Sequence, residues 1–84
     1  MIEKEQTKIA VVAIIVSDKN SVGRINELLH DFGDYIIGRL GLPYKEKNVN
    51  VISVVVDAPQ TVINSLSGKL GMIDGVSSKV LTTK

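Results

Sequence analysis

Apolar residues cluster in six stretches, and their spacing differs from one stretch to the next. Residues 9–16 are apolar throughout and rich in β-branched side chains, the pattern of a strand buried on both faces. A polar segment, Ser17-Asp18-Lys19-Asn20-Ser21, then supplies residue types that start helices. Val22, Ile25, Leu28, Leu29 and Phe32 recur at helical spacing and predict an amphipathic helix, with Gly33 placed to stop it. Residues 35–40 read as a second strand. Gly41-Leu42-Pro43 is expected to interrupt regular pairing, and Lys45-Glu46-Lys47-Asn48 to form a turn. Residues 49–56 make a third strand, broken only by Asn50 and Ser53. Asp57-Ala58-Pro59-Gln60 reads as a helix start, with Asp57 as cap and Gln60 completing a capping box. Val62, Ile63, Leu66 and Leu70 form the stripe of that second helix, Gly71 ends it, and residues 76–82 predict a last strand.

The order strand, helix, strand, strand, helix, strand predicts an α+β, ferredoxin-like βαββαβ sandwich. Its four-stranded antiparallel sheet would carry two helices on one face, with the first and third strands central. Residues 1–84 are expected to form one domain, with residues 1–7 a flexible N-terminal segment. Such a sheet should be polar on the face without helices. Here both alternating sets of the first strand are apolar, Ile9, Val11, Ala13 and Ile15 as much as Ala10, Val12, Ile14 and Val16. The third strand behaves in the same way. An apolar sheet face in water marks an interaction site. A homo-oligomer, dimer or tetramer, is therefore expected, with Val12, Ile14, Val54 and Val56 assigned to the contact.

Charge narrows the candidate partners. Ten Lys and Arg against nine Asp and Glu give a net charge of +1, and no basic run occurs. That balance disfavours a broad electrostatic grip on nucleic acid or an anionic membrane. No apolar stretch approaches the roughly 20 residues that span a bilayer. There is no cysteine, hence no disulfide and no thiolate metal site. A cytoplasmic location fits these features.

Catalytic residue types are sparse, and the chain is expected not to be an enzyme and to need no cofactor. His30 is the single histidine, a weak candidate metal ligand without an accompanying ligand motif. Asp18 and Asp57 each follow an apolar strand and precede a helix, where capping accounts for both. They are expected at the same end of the sheet. Ser67-Gly68-Lys69-Leu70-Gly71 lacks the spacing of a phosphate-binding loop. The most distinctive stretch is Gly38-Arg39-Leu40-Gly41-Leu42-Pro43-Tyr44. Its glycines permit close backbone approach, Arg39 can grip a carboxylate or phosphate, and Tyr44 offers a flat face and a hydroxyl. Gly38, Arg39, Gly41, Pro43 and Tyr44 are the candidate ligand-binding residues. The alternatives are a nucleic-acid-binding module using the glycines as a KH-type loop, or a purely structural interaction module.

Three blocks carry a family resemblance: Ile25-Asn26-Glu27-Leu28-Leu29-His30-Asp31-Phe32, then Gly38-Arg39-Leu40-Gly41-Leu42-Pro43-Tyr44, then Leu66-Ser67-Gly68-Lys69-Leu70-Gly71-Met72-Ile73-Asp74-Gly75-Val76. Together they resemble the iron-only hydrogenase system regulators, over residues 8–84. The resemblance implies a ferredoxin-like fold related to ACT domains and to the C-terminal domain of nickel-responsive regulators. It also implies an oligomeric regulatory module that binds a small effector or a protein partner, with a role in transcriptional regulation. By analogy with ACT domains, Asp18, Asn20 and Ser21 would contact an effector. The DNA-reading segment and the metal-binding cluster of nickel-responsive regulators have no counterpart in this sequence.

Overall fold

The computed structural model describes residues 6–83, so residues 1–5 of the expected flexible N-terminal segment lie outside the described residues. Strand β1 (Lys8–Val16) leads through a 3-10 turn (Lys19–Ser21) into helix α1 (Val22–Asp31). Strands β2 (Ile36–Tyr44) and β3 (Val49–Ala58) form a hairpin, followed by helix α2 (Gln60–Gly71) and strand β4 (Val76–Thr82). The sheet order is β2-β3-β1-β4, and every pairing is antiparallel. This is the predicted βαββαβ sandwich.

The β1–β3 register fixes both faces of the sheet. Ala10, Val12 and Ile14 stand opposite Val56, Val54 and Ile52, and all six are buried beneath the helices. Ile25 and Leu29 of α1 close over this face together with Ile63, Leu66 and Leu70 of α2. The alternate positions Ile9, Val11, Ala13 and Ile15 face the other way. The residues expected at the open contact face are instead the covered set. Val12, Ile14, Val54 and Val56 are at most 1% exposed and lie in the core, so they cannot form the open contact face. Period-two alternation separates two sets of residues, but with both sets apolar it cannot say which one the helices cover.

Strand β2 is longer than expected. Pairing with β3 continues through Gly41, Leu42, Pro43 and Tyr44, and the irregularity falls instead between Ile36 and Gly38, where Ile37 bulges. An edge strand tolerates proline because one side of its backbone has no sheet partner. Asn48 closes the hairpin at a φ of 55°, a left-handed conformation that asparagine adopts more readily than most residues.

The second helix starts without its predicted cap. β3 runs on to Ala58, so Asp57 is an exposed strand residue, and the N-cap position belongs to Pro59 with no side-chain hydrogen bond. Asp18 caps the 3-10 turn ahead of α1, its carboxylate accepting from the Asn20 N–H at 2.9 Å, while α1 itself starts at Ser21 without a side-chain cap bond. The two aspartates lie at opposite ends of the sheet, not at the same end. Asp57 pairs with Ile9, whereas Asp18 follows Val16, and those two levels are roughly 23 Å of strand apart.

Candidate functional site

The predicted site residues separate into three groups. The first is a staple at one end of the sheet. Gly75 sits at a φ of +72°, and its carbonyl accepts from the Ser17 N–H at 2.8 Å and the Ser17 hydroxyl at 3.1 Å. Ser21, buried, donates through its hydroxyl to the Asp74 carbonyl at 2.6 Å. These bonds tie the β1–α1 loop to the α2–β4 loop. Asp18 and Ser21, considered above as effector contacts, therefore have structural partners already, while Asn20 is exposed.

The second group surrounds the turn of the β2–β3 hairpin, at the same end of the sheet as the staple. Pro43 and Tyr44 line a hollow of about 380 Å³ with Lys19, Lys45, Asn48, Val49 and Asn50. The Tyr44 hydroxyl donates to Glu46 at 3.0 Å. Gly38, Arg39 and Gly41 do not line this hollow. The Arg39 guanidinium crosses from β2 to α1 and donates to Asn26 Oδ1 at 2.9 Å. Gly38 and Gly41 lie within a paired edge strand and not in a loop between helices, so the KH-type arrangement is not formed. His30 is exposed on α1, beside Gly23, Asn26, Glu27 and Asp31. Among the described residues no group of three His, Cys, Asp or Glu is placed to hold a metal ion.

The third group is the outer face of the sheet. The pairings set it out as a grid: Ile9, Val11, Ala13 and Ile15 on β1, Val49, Val51, Ser53, Val55 and Asp57 on β3, Leu40, Leu42 and Tyr44 on β2, and Ser77, Lys79 and Leu81 on β4. Leu81 is 73% exposed, Leu40 59% and Ile15 48%, large values for apolar side chains on a sheet. Asp57 and Lys79 are the charged residues of this grid, one of each sign.

One further hollow was missed in the sequence. Arg24 and Leu28 of α1 face Lys69, Met72 and Ile73 at the end of α2 across about 360 Å³. Proximity between residues so distant in the chain has no local sequence signal. The paired helix stripes were the available clue, because they require the two helices to lie side by side.

Together the topology and this one-sided helix layer define a ferredoxin-like α+β sandwich. The likeness to a formyltetrahydrofolate deformylase from Pseudomonas putida KT2440 is one of fold alone, with a TM-score of 0.62 and 9% identity over 86% of this chain and 28% of that one. The family is narrower. Residues 8–80 match the model described as "TM1266-like: Iron-only hydrogenase system regulator, putative", and the chain belongs to that family. The structure of the uncharacterized protein TM1266 from Thermotoga maritima superposes with a TM-score of 0.90, at 35% identity over 94% of this chain and all of that one. No curated protein matches. No helix among the described residues is long and apolar enough to cross a membrane.

Proposed function

We propose that the chain is a self-associating regulatory module of an iron-only hydrogenase system, in which a second copy covers the outer sheet face. The family supports the regulatory context. The outer face supports the assembly, and its exposed Ile9, Ile15, Leu40, Leu42 and Leu81 are the observation that carries the reading. Four strands about 4.8 Å apart, rising about 3.3 Å per residue, present a footprint on the order of 500 Å² before side-chain relief. That approaches the roughly 800 Å² per partner of a standard stable interface.

The charges on this face favour a copy of the same chain. Asp57 near one end and Lys79 at one edge are opposite in sign on an otherwise uncharged grid. A two-fold related copy brings no net like charge against itself. Each apolar side chain removed from water contributes about 1.5–3 kcal/mol if fully buried. In this reading an effector or protein partner acts by binding one state of the assembly better than another.

Light scattering on a size-exclusion column tests the assembly. A dimer or larger species is expected at tens of micromolar, and Ile15→Glu combined with Leu81→Glu should shift it to monomer with its circular dichroism unchanged. A wild-type monomer at that concentration would sink the reading.

A further inference from the structure

The groove between the two helices lies on the opposite layer from the outer sheet face and is independent of it. The hollow lined by Arg24, Leu28, Lys69, Met72 and Ile73 shares Arg24, Met72 and Ile73 with a second one of about 260 Å³, which adds Asn20, Ser21 and Asp74. The two therefore form one groove, in the lower part of the size range of small-ligand sites. Its walls combine an apolar strip with two cations. Met72 is 84% exposed, an unusual position for a large apolar side chain, and methionine adapts its shape to what it contacts.

The charges are sorted about α1. Arg24 points to the groove, whereas the acidic residues Glu27 and Asp31 line a separate hollow with His30. Lys69 is held with its ammonium 5.7 Å from the centre of the Phe32 ring, which limits its freedom before any ligand arrives. None of the side-chain hydrogen bonds among the described residues involves Arg24 or Lys69. Asp74 adds one negative charge at the far end. Two cations and one carboxylate leave a surplus of one positive charge, which suits a monoanion better than a phosphate dianion.

We propose that this groove binds a small amphiphilic monocarboxylate. Its carboxylate would lie between Arg24 and Lys69, and its apolar tail would lie along Leu28, Met72 and Ile73. A carboxylate is the partner a guanidinium meets through two parallel hydrogen bonds, and an alcohol of the same tail forfeits that contact.

Met1 and Met72 are the only methionines, so methyl-labelled methionine gives a simple NMR spectrum with one reporter in the groove. Octanoate should shift the Met72 methyl resonance saturably. Octanol and acetate, each carrying half of the chemistry, should bind at least about tenfold more weakly. Arg24→Gln and Lys69→Gln should each weaken octanoate binding about tenfold while keeping the wild-type proton spectrum. Both residues are exposed, so either variant suffices if the other misfolds. The Ile15→Glu variant should bind octanoate as the wild type does, which separates the groove from the sheet face. No saturable shift, equal shifts with octanol, or unchanged affinity in a folded charge variant would each overturn the proposal.

Discussion

The two faces of the sheet are made of nearly the same residues and meet opposite fates. Val12, Ile14, Val54 and Val56 are sealed under α1 and α2, while Val11, Ile15, Val51 and Val55 stand on the side without helices. Residue type does not distinguish them. What differs is the helix layer, and the position of that layer follows from how α1 and α2 leave the ends of their strands. The uncovered set is the one that the proposed assembly would bury.

Neighbouring isoleucines give the sharpest way to break that comparison. Ile14 is fully buried and Ile15 points to the opposite side. Ile14→Ala removes buried methyl groups and leaves a cavity, and should cost about 3 kcal/mol in a denaturant melt. Ile15→Ala should cost under about 1 kcal/mol at concentrations low enough to keep the protein monomeric. The Ile15 cost should grow as protein concentration rises, because association then adds to the apparent stability. Equal costs at every concentration would mean that nothing covers the outer face.

A glycine tests how the helix layer is anchored. At Gly75 an added Cβ would come within 2.6 Å of the Asp18 Cβ, and the backbone already has a φ of +72°. Gly75→Ala therefore combines left-handed strain with a clash against a neighbouring loop, and should cost about 2 kcal/mol in the same melt. The added Cβ meets Asp18 and no residue of the outer grid, so the oligomeric state of the folded fraction should not change. A loss of assembly in step with stability would show that the two faces are coupled through the loop.

Much of this architecture could be read from the chain, and the misreadings have specific causes. The uninterrupted apolar run before Ser17 and the helical spacing from Val22 to Phe32 gave β1 and α1 directly, because burial imposes those periods. The choice of covered face was not legible, since Ile9, Val11 and Ile15 satisfy the same criterion as Val12 and Ile14. Gly41 and Pro43 suggested a break, but a strand with one unpaired side absorbs both. Asp57 looked like a cap because nothing local reveals that β3 continues to Ala58. The candidate site fared worse. Arg39 and Tyr44 share a strand yet do not share a hollow, and Arg24 and Lys69 line one hollow only because α1 and α2 lie side by side.

At β2 the contrast between the faces fades, because this edge strand is exposed on both. Arg39 stands opposite Val54 on the helix-facing side, but α1 does not close over it, and its guanidinium reaches Asn26 through solvent-exposed space. An exposed hydrogen bond of this kind exchanges with water, so its loss costs little. Arg39→Ala should change stability by no more than about 0.5 kcal/mol, the smallest of these effects, even though the same face carries a severe penalty at Ile14 two strands away. A denaturant melt compares the two directly. A cost for Arg39 above about 1.5 kcal/mol would mean that the β2 edge is covered in solution, and the boundary between sealed and open surface would then have to be redrawn to include it.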